Sequence, residues 1–254
     1  MRGYGESSAP AEAEAYTPFH TVGDLVAILD ALGISAATVV GHDFGANVAW
    51  NAAMMRPDRF SAVCGMSVPF QAPGGTGFLE KLRATGASRF YMFDQMEASA
   101  EGAWANASST IPGVYYWTSG EAPEASRWDP FDPSRGLLRP APMHPRTIDP
   151  TYVADAVEAF TRTGFHGPLN YYRAIEPFAR QWGAFAGARI ERPAMFLAGT
   201  ADGLNLVTQP SDSALRNGPG DLRSFVMLEG VGHWPQLEAP DATSEALLAF
   251  LRGL

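Results

Sequence analysis

The chain has 254 residues, 46% hydrophobic and 18% charged, with 26 glycines and 20 prolines; this excludes a disordered tail, a collagen and a coiled coil and allows one large domain or a domain with an insertion. Eighteen Lys and Arg against 27 Asp and Glu leave a formal charge of −9, the wrong sign for gripping a phosphate backbone or an anionic lipid surface, so no nucleic-acid and no membrane partner is expected. The one cysteine, Cys64, closes no internal disulfide, MRGYGESSAP holds no apolar signal core, and no stretch approaches the roughly 18 uninterrupted apolar residues of a membrane span; a cytoplasmic protein is the expectation.

Residues 1–20 read as loop. From Thr21 to Leu32 the apolar Val22, Leu25, Val26, Leu29 and Leu32 recur at helical spacing and Gly33 follows as a stop, which predicts an amphipathic helix. AATVVG at 36–41 is short, apolar and β-branched, the pattern of a strand buried on both faces. It runs into GHDFG, then a helical pattern from about Ala46 to Met55 that stops before Pro57, then SAVCGMSV at 61–68, a second buried strand. Strand, Gly-flanked turn, helix, strand is a βαβ unit of a parallel sheet, so the fold class is α/β.

Residues 69–191 change character, being rich in aromatics, Gly and Pro, with their clearest helix near Pro150 to Thr163. The α/β rhythm then returns with strands at 193–199 and 224–230 and a closing helix from Ala242 to Leu251. The expected organisation is a core of residues 1–68 and 192–254 with a lid, 69–191, inserted between sheet strands.

Open parallel sheets place their sites beyond the carboxyl ends of the strands. There stand Asp43 in GHDFG, Asp202 in GTADG and His233 in GVGHW. Singly, each has a plainer reading: a helix N-cap for Asp43, a turn residue for Asp202, a surface histidine for His233. Together they follow the order nucleophile, acid, histidine, with aspartate where esterases carry serine. A serine attacking an alkyl carbon would leave a stable ether, whereas a carboxylate leaves an ester that water cleaves. Asp43 therefore points to substrates opened at an sp³ carbon, and His233, oriented by Asp202, to the activation of the water that follows.

GHDFGANVAW with RPDRFSAV and SVPF resembles the nucleophile region of the soluble epoxide hydrolases, and RGYGESSAP, GFHGPLNYYRA and GHWPQLEAP resemble that family's loop, lid and histidine motifs. The resemblance covers nearly the whole chain. It implies an α/β-hydrolase fold with a mainly helical lid and the hydrolysis of a small apolar epoxide by water to a vicinal diol. It also implies two lid tyrosines that protonate the ring oxygen: Tyr172, which matches the family position in LNYYRA, and Tyr91 of RFYMFDQ, reached through a one-residue gap. Phe44 would give an oxyanion-binding N–H, and Tyr171 and Trp234 would line the substrate site.

Two departures accompany the resemblance. Phe44 stands where the family usually has tryptophan, which weakens a haloalkane dehalogenase reading that would use the same Asp43, His233 and Asp202. RGYGESSAP follows the fourth sheet strand in the family, so the earlier strands and the HGxP loop with its second oxyanion donor are expected to be missing from these 254 residues. That would put AATVVG at a sheet edge and favour self-association into a homo-oligomer or even an inert fragment, with about 10²–10³ in rate lost with the donor. No metal and no organic cofactor is implied, since HExxH, GxGxxG, Walker A and paired-Cys motifs are absent; GMSVP at 65–69 fails as a serine elbow because Pro69 replaces the final glycine.

Overall fold

The structure, a computed structural model, describes residues 1–73, 77–216 and 218–254. After a 3-10 turn at Ala13–Tyr16 come α1 (Pro18–Ala31), β1 (Ala37–His42), α2 (Phe44–Met55) and β2 (Phe60–Met66). Seven helices follow: α3 (Phe78–Ala84), α4 (Tyr91–Met96), α5 (Ala100–Trp104), α6 (Ala107–Trp117), α7 (Pro150–Thr163), α8 (His166–Arg173) and α9 (Ile175–Trp182). The chain then returns to the sheet as β3 (Pro193–Gly199), α10 (Asn205–Thr208), α11 (Asp212–Arg216), β4 (Asp221–Leu228), α12 (Pro235–Glu238) and α13 (Pro240–Arg252).

The four strands are parallel and lie in the order β1-β2-β3-β4. Both faces of the central strands are covered, which is why β2 and β3 read as unbroken apolar runs rather than alternating ones. Ala62, Cys64, Met66, Met195 and Leu197 pack with Phe250 of α13 on one face. Val63, Ala194, Phe196 and Ala198 pack with Trp50 of α2 on the other. Gly65 makes that second layer fit, because a Cβ there would collide with the Trp50 indole, whose Nε1–H donates to the Val68 carbonyl at 2.9 Å.

β1 is an edge strand, as expected, and its Val40 is 41% exposed. Element boundaries differ from the pattern where local chemistry intervenes. α1 starts at Pro18, inside the stretch read as loop, because proline's missing N–H and preset φ suit the first helical position. β2 ends at Met66 rather than residue 68 because Ser67 takes a left-handed φ of 65°. β4 spans Asp221–Leu228 rather than 224–230.

Between β2 and β3 the described residues form helices and loops without a strand. Residues 74–76 of the expected lid lie outside the described residues. A second apolar cluster forms here, with Ile111 and Tyr115 of α6 against Val153 of α7 and Leu169 of α8, and Trp234, just before α12, joins its rim.

Candidate active site

Asp43 stands between β1 and α2 with φ 53° and ψ −120°, a backbone conformation rare for a residue with a Cβ. The tight turn is permitted by Gly41, since a Cβ there would strike the backbone of Gly45. Strain of this kind, about 1–3 kcal/mol, persists only where the surroundings over-determine it. Here the Asp43 N–H donates to the Met66 carbonyl at 3.2 Å, and the Asp43 carbonyl accepts from Ala46 and Asn47 at 3.0 and 3.2 Å. The carboxylate is thereby held beyond the end of β1, with Oδ1 accepting the Phe44 N–H at 2.6 Å.

Asp202 follows β3 and is buried, and His233 follows β4 and is also buried. His233 Nδ1 lies 2.9 Å from Asp202 Oδ2, and its Nε2 lies 3.2 Å from Asp43 Oδ2. Asp202 Oδ1 is oriented by the Leu204 N–H at 2.9 Å. Three strand ends therefore deliver one unbroken line of contacts, carboxylate to imidazole to carboxylate. Burial alone would strip His233 of its proton, but the two carboxylates outweigh it and raise its pKa above the ordinary imidazole value. Burial likewise works against the charge of Asp43, yet His233 and the Phe44 N–H hold its carboxyl below the usual range.

Asp43 opens into a cavity of about 510 Å³, lined among others by Tyr91, Trp128, Tyr172, His233 and Trp234. The Tyr91 and Tyr172 rings meet edge to face with their centroids 6.1 Å apart. Burial, then the neighbouring tyrosine and Asp43, raises the Tyr91 pKa far above that of a free phenol. Burial and then Asp43 do the same for Tyr172. Both phenols are kept protonated in the cavity that Asp43 also lines.

A family model for the alpha/beta hydrolase fold matches residues 1–240. An epoxide hydrolase of Caballeronia sordidicola is 50% identical over 254 residues, spanning 99% of this chain and 77% of that protein. Epoxide hydrolase A of Mycobacterium tuberculosis is 37% identical over the whole chain and 80% of its own length. The crystal structure of epoxide hydrolase A from Mycobacterium thermoresistibile superposes with a TM-score of 0.90 at 34% identity, covering all of this chain and 81% of that one. The chain belongs to the epoxide hydrolase family of the alpha/beta hydrolase fold.

In this family member Asp43, His233, Asp202, Tyr172, Tyr91, Phe44 and Trp234 meet at one place. Tyr171 is not among the lining residues of that cavity: its hydroxyl donates to the Arg2 carbonyl at 3.0 Å, and it lines an adjoining space of about 200 Å³ that shares Asp43, Phe44, Tyr91 and Leu204 with the first. Trp234 packs against His42 and Tyr115 at 5.0 and 4.7 Å and donates Nε1–H to Thr118 Oγ1 at 2.7 Å.

Five further residues belong to this family member's site. His42 donates Nε2–H, and Ser67 its hydroxyl, to the His233 carbonyl at 2.7 and 2.9 Å. Glu238 caps backbone N–H groups on either side of His233. Tyr4 of the RGYG loop and Trp128 line the cavity, Trp128 edge to face with Tyr91 at 5.0 Å. His42, Ser67, Glu238 and Tyr4 stand inside motifs legible in the sequence, GHD, SVPF, GHWPQLEAP and RGYG, but their bonds are tertiary. Trp128 carries no local signal.

Proposed function

We propose that the chain hydrolyses epoxides to vicinal diols through an ester on Asp43. Oδ2 of Asp43 attacks a ring carbon, the ring C–O bond breaks with its electron pair going to oxygen, and the Tyr172–Tyr91 pair supplies a proton to that oxygen. Ester formation removes the Asp43 charge that helped hold the proton on His233, and this proton restores the tyrosine. The neutral imidazole, oriented by Asp202, then takes a proton from water as its oxygen adds to the ester carbonyl carbon. Charge develops on Oδ1, where the Phe44 N–H already points. Collapse passes the proton from His233 to the departing diol oxygen, and the acid of Asp43 returns its own proton to His233.

The observation that carries this reading is the juxtaposition of a carboxylate–imidazole–carboxylate line with two protonated phenols in one cavity. A dehalogenase uses the first but has no need of the second. The largely apolar cavity wall fits an apolar epoxide. On this reading residues 69–191 are the lid, supplying Tyr91 and Tyr172, and residues 1–68 and 192–254 are the core; the single buried Cys64 suits a reducing cytoplasm. No helix among the described residues is long and apolar enough to cross a membrane.

The test is diol formation from aryl and alkyl epoxides, with Asp43→Asn as control, followed by one turnover in ¹⁸O-labelled water. Label in the peptide carrying Asp43 is the expected result. Label in the diol with an unlabelled enzyme would overturn the ester route.

A further inference from the structure

Glu238 lies at the end of the four-residue α12, and its carboxylate turns back over that helix. Oε1 accepts the Trp234 N–H at 3.0 Å, and Oε2 accepts the Gly232 N–H at 2.9 Å and the Gly120 N–H at 2.8 Å. Two of these donors flank His233. The third belongs to the segment between β2 and β3, just past α6. One side chain thus ties the histidine loop to itself and to the inserted helices.

The surrounding contacts converge on the same seam. The His233 N–H donates to the Thr118 carbonyl at 2.9 Å, and Trp234 Nε1–H donates to the Thr118 hydroxyl. Gly120 lies against the backbone of Gly230 and Gly232 so closely that a Cβ at 120 or 232 would collide with main-chain atoms. Below, His42 and Ser67 anchor the His233 carbonyl. The His233 peptide is hung between the sheet and the inserted helices, and Glu238 is the charged group that bonds directly to the backbone on both sides of it.

Three backbone N–H groups converging on one carboxylate form charge-assisted hydrogen bonds, stronger than neutral ones. An amide in its place keeps one acceptor oxygen and turns an NH₂ toward at least one N–H. The loop then has to move, and displacement of a reacting group by about 1 Å costs on the order of 10²-fold in rate.

We propose that Glu238 is a positioning residue: it sets the placement of His233 against Asp202 and Asp43 and makes that placement depend on the docked inserted helices. The proposal rests on the ester mechanism above for its kinetic form. Asp43 attacks before His233 is needed as a base, so loss of Glu238 should slow ester hydrolysis and spare ester formation.

Glu238→Gln is expected to lower kcat about 10-fold or more with KM falling in parallel, leaving kcat/KM and the single-turnover rate of ester formation nearly unchanged. The ester should accumulate in the intact mass. A second readout does not need turnover: the downfield proton of His233 Nδ1–H bonded to Asp202, sharp in the parent protein, should broaden or vanish in the variant. Should Glu238→Gln not fold, Glu238→Asp, which keeps the charge but withdraws it by one methylene, carries the same comparison. An unchanged kcat with an unchanged proton signal would overturn the proposal, as would kcat and kcat/KM falling together with the signal intact. A parent protein that turns over no epoxide would defeat the ester reading alone, and the proton signal would still decide the positioning role.

Discussion

His42 donates Nε2–H to the backbone carbonyl of His233 at 2.7 Å, so the residue just before Asp43 also holds the backbone of the histidine that its carboxylate meets. Burial, and then the neighbouring His233, pushes the His42 pKa down to about 4. A neutral His42 adds no positive charge beside a histidine that must carry a proton. His42→Phe keeps the ring but loses the donor, leaving Ser67 alone on that carbonyl, and kcat should fall about 10- to 100-fold. His42→Gln, which can present an N–H at the same place, should recover much of it. Steady-state kinetics of the two variants make the comparison.

The same depressed value has a stability consequence. The unfolded chain takes up a proton on His42 near the ordinary imidazole pKa of 6.5, while the folded chain holds out to about 4. Folding is therefore weakened as pH falls from 6.5 to 4, and the contribution is complete above that window. The melting temperature of the parent should drop across it, and the drop should be smaller in His42→Gln. Calorimetry at matched ionic strength reads both.

His233 moves the other way, its pKa raised above the ordinary value despite burial by Asp202 and Asp43. On the proposed route ester formation removes one of those carboxylate charges, so the apparent pKa governing ester decay should lie below that of His233 in the free protein. Ester decay should quicken as pH rises through it and then level. His233→Gln should form the ester and keep it, visible as one equivalent of added substrate mass. A titration of His233 by NMR beside the pH profile of ester decay supplies the two values.

Tyr172 and Tyr91 meet edge to face at the cavity wall. Removing either donor should slow ring opening by about 10²–10⁴, the usual worth of a positioned general acid. Because the two act as a pair, the double variant should lose less than the product of the single losses. The rate of ester formation in Tyr172→Phe, Tyr91→Phe and the double variant is the measurement.

Among the described residues β1 is the terminal strand of the sheet, with Val40 at its centre 41% exposed. Such edges template pairing with another chain, and a charged side chain blunts them. Val40→Lys should reduce concentration-dependent self-association, followed by light scattering or sedimentation, without altering the melting temperature by more than a few degrees.

How far the sequence alone could be read follows from which interactions are local. Pro193–Gly199 was legible because burial on both faces leaves a run of apolar residues in the chain itself; Ala37–His42 carries the same β-branched apolar pattern, but as an edge strand it has no fully buried residue, so the expected burial of both its faces is not met. Asp43, Asp202 and His233 were legible because each follows such a strand, where the fold class puts chemistry. Ser67 shows the limit. Its GMSVP setting argues against a nucleophile, but nothing local says that a serine at φ 65° will donate to a carbonyl 166 residues away. The start of α1 and the end of β2 were hidden for the converse reason: proline geometry and one left-handed residue override the hydrophobic pattern.

The close backbone approach of Gly120 to Gly230 and Gly232 bears on exchange of parts between relatives. Substrate range invites grafting, because the segment between β2 and β3 supplies much of the cavity wall. A donor segment cut at the strand ends would bring its own residues at 118–120 against a histidine loop shaped for others. Chimeras that transfer residues 118–120 together with residues 230–238 keep both halves of the seam from one parent. Those that split it inherit a mismatched joint at His233 itself, however well the new wall suits the new substrate.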